Sequence, residues 1–556
     1  MSSLLARLRV HDSQHGRRTD RWTNADILPV LAENRNFNTK SYFGFWVSAG
    51  IAATYWTMGS TAIAAGLSVG EAIPALLIGA IISAIVTCGC SEFGLKYHLG
   101  FPMLSRAVFG MYGSYFVVIL KCFSNFVYCG IQTYWGGIAM RVMLAAIFPS
   151  FYRMKNTIPE SANVTTQDLI GTIIYFVVFV ALIMVRPYKL QPFFLVSFVG
   201  VILTILGMFI WAMAKNHGAG DLVTPTLKLG TGTTVFVFFQ SICTMATTFT
   251  GVGIRHSDWT RYAKTPRAAR LGFWIACPLT VSIAAIFGVF VTSATKSMYG
   301  KIIWQPMSIL VYIQQQDYSS TTRAGTFFAG LGWFMSQIAV NVSSNAVATG
   351  MDLSSILPEW ISQRRGSVIL ALVGIAMCPW NLVNSPGTFI TVIGSLGIFI
   401  APLIGIMLAD YWVVRRQAYN VPHLYIGNRS SIYWYHWGLH WRAFVTWLSL
   451  IWVSMPGLVA SAGGHDLNES WRRIFRLAFL IGLVGGFCIY TGICYVSPIP
   501  GAHDFVPYDF SNEELKNVEE VMGQEMDMAA SENEKGKITE SHTTDLDLDL
   551  DAAHKR

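Results

Sequence analysis

Twelve apolar segments run through this 556-residue chain, at 44–66, 73–95, 113–143, 167–187, 191–214, 233–254, 272–295, 324–351, 367–384, 388–408, 443–463 and 474–497. Each is long enough to cross a hydrocarbon core of about 30 Å, which takes roughly 20 helical residues. Charged residues make up only 13% of the chain and apolar ones 53%, too little polar side chain to coat a soluble globule of this size. The pattern specifies an all-α polytopic membrane protein with twelve transmembrane helices. It excludes a cytosolic enzyme, a disordered chain and a small secreted domain. The third and eighth segments are long, so tilt or a curved end is expected. The ninth and tenth are separated only around Asn384-Ser-Pro386, read as a tight hairpin.

Charge divides the chain into three parts. Residues 1–43 form a polar arm with Arg7, Arg9, Arg17, Arg18 and Arg21, and without the apolar core of a signal peptide. Residues 44–498 carry the twelve-helix membrane domain. The tail, 499–556, holds fifteen carboxylates against five basic residues, so the net +8 of the chain hides +18 outside it. Such a tail cannot bury enough apolar surface to order itself. With the amino terminus cytoplasmic, the inner loops and that terminus hold 22 Lys and Arg and the outer loops 10, which sets both termini inside. Asn163-Val-Thr165 then lies on an outer loop, open to a glycan, whereas Asn428-Arg-Ser430 is inaccessible.

Enzyme signatures are absent: there is no phosphate loop, HExxH or GxSxG, and the longest piece between spans, about 409–441, is too short for a core of its own. The nine cysteines show neither CxxC nor finger spacing, so no metal site is expected. The basic residues border the membrane, which argues for lipid bilayer contact and against nucleic acid.

Chemistry inside a bilayer concentrates at helix breaks and at polar side chains at membrane depth. Two Gly/Thr-rich runs, Ser48-Ala-Gly50-Ile-Ala-Ala-Thr54 in the first span and Thr247-Thr-Phe-Thr250-Gly251-Val-Gly253 in the sixth, weaken their helices five helices apart. That is the spacing of a five-plus-five inverted repeat. In the third span Tyr128 and Gln132 stand four residues apart and share a helix face. An aromatic plate beside a carboxamide suits a flat heterocyclic ring, which stacks on one and bonds the other through an –NH–C(=O)– edge. The eighth span carries Ser336, Asn341, Ser343, Ser344 and Asn345, of which Asn345 offers a second amide. Glu92, Lys121, Asp258 and Arg261 are the candidate gating or coupling charges. Glu92 and Lys121 read more readily as interfacial or paired groups, and Asp258 with Arg261 as a structural charge pair at the inner gate.

At these residues a resemblance becomes specific. Arg21-Trp-Thr-Asn24-Ala-Asp26, Gly110-Met-Tyr-Gly113-Ser, Gln132-Thr-Tyr-Trp-Gly-Gly137, Asp258-Trp-Thr-Arg261-Tyr-Ala-Lys264, Asp352-Leu-Ser-Ser-Ile-Leu-Pro358, Cys378-Pro-Trp-Asn381 and Ala409-Asp-Tyr-Trp-Val-Val-Arg-Arg416 follow one another in order. Over about 20–500 the chain resembles the nucleobase:cation symporter-1 family, in its fungal uracil/allantoin/uridine permease-like branch. The resemblance implies a leucine-transporter-like fold with helices 1 and 6 broken, alternating access, and substrate held by Tyr128, Gln132, Phe249 and Asn345. The family usually has Trp where Tyr128 stands. The Ser-Thr pair of sodium-coupled relatives falls on Ala339-Val340, which lack the hydroxyl oxygens that replace water around Na⁺. Many fungal relatives carry an Asp where this chain has Ala49. Proton coupling is therefore expected, with no other cofactor. The resemblance also implies trafficking and ubiquitin machinery as partners of the tail, at Lys516, Lys535 and Lys537.

The expected function is a proton-coupled symporter in the plasma membrane that imports a small planar N-heterocycle such as uracil, allantoin or another purine- or pyrimidine-related compound. The alternatives are a thiamine, nucleoside or nicotinamide riboside permease of the same family, or a non-transporting receptor.

Overall fold

The computed structural model describes residues 21–502 apart from 25, 186–189, 222–229 and 464–467. The first twenty residues of the polar arm, and the acidic tail from 503, lie outside the described residues. Among the described residues the regular elements are helices, with no strand. The principal ones are α1 (Thr39–Gly50), α2 (Ala53–Ala64), α3 (Val69–Tyr97), α4 (Phe101–Phe109), α5 (Gly113–Ile147), α6 (Thr166–Ile183), α7 (Gln191–Asn216), α8 (Thr231–Gly253), α9 (Cys277–Tyr299), α10 (Pro306–Gln316), α11 (Ser320–Val340), α12 (Val347–Ile356), α13 (Gln363–Ala376), α14 (Pro386–Ala409), α15 (Trp441–Ser461) and α16 (Ala478–Val496). Side chains that bond the free N–H groups of a first turn fix several starts. Ser68 and Glu71 bond each other's backbone at α3, Thr165 and Asp168 at α6, and Ser385 receives Thr388 at α14.

Nine helices of the described residues are long and apolar enough to cross a membrane, against the twelve segments expected. The other three differ for physical reasons. The first is interrupted between α1 and α2, where Ile51 and Ala52 leave helical geometry (Ala52 φ −136°, ψ 158°). The eighth runs from Ser320 to Ile356 as α11, a π-helical turn at Asn341–Ala346, and α12. The ninth, α13, has only 14 residues, and a 3₁₀ turn at Pro379–Asn381 makes its link to α14 longer than the expected hairpin.

The sixth segment departs from expectation. Its Gly/Thr run stays helical through Gly253, and the chain turns only at Ile254–His256 before the short helix Ser257–Thr260. Thr244 and Thr248 donate to the carbonyls four residues earlier, at 2.7 and 2.9 Å, so their side chains stay folded back along the helix.

Glycine permits a close backbone contact in the core. A Cβ on Gly59 of α2 would lie 2.0 Å from the Ala285 carbonyl, and one on Gly288 of α9 2.2 Å from that of Trp56. Only bare backbone lets α2 and α9 touch there, which is how helices pack where lipid supplies no hydrophobic drive.

Two features close one end of the bundle. Residues 22–37 lie across it as a strap: Arg106 donates to the Trp22 and Leu424 carbonyls at 2.9 and 3.0 Å, Tyr425 to that of Ile27 at 2.8 Å, and Phe37 exchanges backbone bonds with Tyr262 and Lys264. Beyond α14, Asp410 is the centre of a buried knot. Its Oδ1 accepts from Tyr490 at 2.7 Å and its Oδ2 from Tyr419 at 2.7 Å, and Arg415 Nε stands 3.2 Å from Oδ2. Arg415 also donates to Tyr435, which donates to the Ala107 carbonyl of α4 at 2.6 Å.

Candidate functional site

A cavity opens where the α1–α2 interruption faces α5, α8 and the π turn. Trp46, Ala49, Thr54, Tyr55, Asn125, Tyr128, Gln132, Thr248, Gly251, Val340, Ser344 and Asn345 line it. Its volume is about 30 Å³, room for one or two water molecules, so a ring enters only if side chains give way. Gln132 Nε2 donates to Thr54 Oγ1 at 2.5 Å, tying α5 to the start of α2. Three buried polar atoms on the walls, Tyr128 Oη, Gln132 Oε1 and Ser344 Oγ, have no hydrogen-bond partner among the described residues. Such a group costs on the order of 1–3 kcal/mol when left unmet. An aromatic-walled chamber with unmet donors and acceptors suits a polar, planar guest. A larger apolar groove of about 920 Å³, between α7, α10 and α11, lacks such groups.

The structure brings Tyr128, Gln132 and Asn345 together on this wall. Asn341 and Phe249 lie one layer behind it. Asn341 donates to the Cys129 carbonyl at 3.3 Å and Thr133 Oγ1 at 3.2 Å, and accepts from Asn345 Nδ2 at 2.9 Å. It orients Asn345 without reaching the cavity. Phe249 is fully buried and stacks on Trp46 with ring centroids 5.1 Å apart, so Trp46 is the ring that faces the chamber. Thr54 and Ser344, singled out in the sequence as part of a helix break and of a polar run, also reach the wall, whereas Trp46, Tyr55 and Asn125 are wall residues that sequence reasoning missed. Trp46 and Tyr55 flank the Gly-rich interruption, the one signal that could have found them.

The four candidate charges separate. Glu92 is held by Arg270 through two contacts of 2.7 Å at the end of α3, an ion pair with no path to the cavity wall. Lys121 is 1% exposed and donates to Asn125 Oδ1 at 2.9 Å. Asp258 and Arg261 act on each other through their charges without a direct ion-pair contact. Asp258 Oδ1 accepts the Phe101 N–H at 2.8 Å and so caps α4. Arg261 donates to the Asp26 carbonyl at 2.8 Å and to Tyr262 Oη at 2.9 Å.

The buried pair that does form is Arg255 with Asp352, Nη1 to Oδ2 at 3.6 Å, both at most 2% exposed. Neither carboxylate oxygen of Asp352 has a hydrogen-bond partner among the described residues. Arg255 donates to the Ser344 carbonyl and Thr349 Oγ1, and Asn125 Nδ2 donates to Thr349 Oγ1 at 2.7 Å. Asn125 and Ser344 line the cavity, so a continuous polar chain joins the chamber to Lys121, Arg255 and Asp352.

Aromatic plugs stand on either side. Toward the strap, Trp46 stacks on His256 at 4.9 Å, with Phe45, Trp259 and Phe273 around it. Toward the other end, Phe389 sits between Trp135 (5.8 Å) and Trp304 (5.3 Å), and Gln305 Nε2 donates to the Val383 carbonyl at 2.9 Å. There too, the expected glycan acceptor Asn163 donates to Asn381 at 3.0 Å, and the Thr165 hydroxyl is spent capping α6.

Comparison with known proteins bears on both fold and family. The fold is that of Mhp1 in its inward-facing conformation, with a TM-score of 0.68 at 17% identity, covering 86% of this chain and 95% of that one. Among curated relatives, transporter aclS of Aspergillus oryzae is 31% identical over 543 residues, 86% of this chain and 87% of the relative. The allantoin permease of Saccharomyces cerevisiae is 30% identical over 486 residues, 86% and 76%. Residues 29–482 match the family described as permeases for cytosine/purines, uracil, thiamine and allantoin. This chain, a multi-pass membrane transporter, therefore belongs to that permease family.

Proposed function

We propose that the protein is a proton-coupled symporter that imports a small planar N-heterocycle, of the uracil, allantoin or related purine/pyrimidine kind, across the plasma membrane. On this reading all twelve apolar segments cross the bilayer in two inverted repeats of five plus a final pair, with both termini in the cytoplasm. The observation that carries it is the central chamber, in which Tyr128 Oη, Gln132 Oε1 and Ser344 Oγ are buried without partners beside the Trp46, Tyr55 and Tyr128 rings. The guest stacks between rings and satisfies those atoms, with Gln132 reading an –NH–C(=O)– edge and Asn345, held by Asn341, supplying a second amide. Phe249 supports the site through Trp46. Opening the Gln132–Thr54 bond frees α1 and α2 to move about Ile51–Ala52, which links guest binding to a change of access.

Coupling is read onto the buried charges. A carboxylate with two unmet oxygens beside an arginine is costly in either state, so Asp352 gains most from taking up a proton when Arg255 shifts. Lys121 and Asn125 carry that change to the chamber wall. Glu92, Asp258 and Arg261 serve structure. The tail lysines Lys516, Lys535 and Lys537 are read as acceptors for trafficking and ubiquitin machinery.

The test is uptake in a permease-null host, with a panel of uracil, uridine, allantoin, uric acid, hydantoins, thiamine and nicotinamide riboside. Gln132→Ala is expected to abolish uptake of the preferred compound while surface expression persists; an unchanged apparent affinity removes Gln132 from the site. Uptake is expected to fall in alkaline medium or with a protonophore and to ignore sodium; a sodium requirement overturns proton coupling.

A further inference from the structure

A second chamber lies beyond the Trp135–Phe389–Trp304 plug, at the end of the bundle opposite the strap. It measures about 410 Å³, within the size range of small-molecule sites and far roomier than the central cavity. Tyr134 and Trp380 form a corner of its wall, with centroids 6.3 Å apart and planes 64° from parallel. Trp304 and Tyr312 add further ring surface.

The polar lining is donor-rich. Lys301 is exposed to the chamber, its Nζ 3.8 Å from the Tyr312 ring centroid, and it pairs with no carboxylate among the described residues. The indole N–H groups of Trp304 and Trp380 donate to no described residue. The one carboxylate of the lining, Asp168, is already held by Arg141 at 2.7 Å and by Thr165 at 2.6 Å. Arg141 and Lys301 against Asp168 leave one positive charge. Flat ring faces, free donors and a net positive charge together select a flat, acceptor-rich, negatively polarised guest.

We propose that this antechamber is a second binding site, which takes a planar heterocycle rich in carbonyls or carrying a deprotonated ring nitrogen. The assignment rests on the reading of the protein as a heterocycle permease and deepens it. The antechamber holds the acidic ring as an anion against Lys301, and the central chamber then selects it by hydrogen bonding.

The experiment uses the full chain in lipid nanodiscs and barbituric acid as probe, a planar tri-carbonyl ring that is anionic at neutral pH, with neutral uracil beside it. Binding is read by equilibrium dialysis and by quenching of tryptophan fluorescence. Losing a charge-assisted contact in Lys301→Ala is expected to weaken barbiturate binding about tenfold, and Lys301→Arg to restore it. Lys155→Ala, which removes an exposed lysine outside the lining, is expected to leave it within about twofold. Lys301 is an exposed side chain, and size-exclusion profiles check that each variant is folded. The proposal is overturned if the wild type does not bind barbiturate, if Lys301→Ala binds it as well as the wild type, or if Lys155→Ala loses as much as Lys301→Ala. Uptake of the heterocycle panel separates the two ideas. Lys301-dependent binding in a protein that transports none of the panel sinks the permease reading and keeps the antechamber. Uptake without Lys301-dependent binding does the reverse.

Discussion

Asp410 and Asp352 are both fully buried carboxylates beside an arginine, yet their surroundings are opposite. Asp410 accepts from two tyrosines at 2.7 Å and has Arg415 at 3.2 Å. Asp352 has Arg255 at 3.6 Å and no hydrogen bond at either oxygen. A burial whose lone pairs are met stabilises one geometry, whereas one left unmet favours whichever rearrangement or protonation relieves it. The first ties α4, α14 and α16 into a fixed corner, and the second sits at the end of the polar chain that begins on the chamber wall. The contrast teaches that a buried ion pair is classified by its hydrogen-bond count, not by its distance alone.

The contrast can be broken most sharply at the knot. Asp410→Ala leaves Arg415 buried and unpaired, a loss of about 3–5 kcal/mol, and is expected to abolish surface expression as seen by microscopy of a tagged protein. Asp352→Asn tests the other side. It keeps the shape and removes the charge, so the protein is expected to reach the membrane and bind substrate, while accumulation against a gradient falls to background and the dependence on external pH disappears. Retained accumulation would place Asp352 with the scaffold. Tyr490→Phe strips one of the two tyrosine bonds from Asp410, costs about 1–3 kcal/mol, and is expected to lower the thermal midpoint with KM for uptake unchanged. Glu92→Gln is the mildest. Its partner Arg270 is half exposed, so the loss is about 0.2–1 kcal/mol and neither stability nor uptake is expected to change measurably.

Much of the architecture was legible because lipid imposes a simple rule, that apolar length marks spans. The interruption at Ile51–Ala52 was legible from Gly50 and its small neighbours. The sixth segment misled in position: its helix runs on through Gly253 and the chain turns only at Ile254–His256. Tyr128 and Gln132 were readable from their four-residue spacing. Trp46 was not, since a tryptophan in an apolar run looks the same whether it faces lipid, core or cavity. The Asp258–Arg261 spacing put two interacting charges near each other, but the Phe101 N–H that Asp258 caps lies on a distant segment that local spacing does not reveal. Arg255 and Asp352 lie on different segments, and local spacing says nothing about that kind of meeting.

The π turn at Asn341–Ala346 holds one more residue than an α-helix of the same rise would need. It therefore acts as a phase shift between two halves of one rod. Upstream, Val340 looks into the chamber; downstream, Thr349 and Asp352 look toward Arg255. Deleting a single residue just beyond the turn, such as Ala348, would swing Thr349, Asp352 and everything after them by about 100°. Both halves would stay helical, yet guest recognition and charge would fall out of step. A permease of this kind can thus lose its coupling to a one-codon deletion that leaves every wall residue of the chamber in the gene.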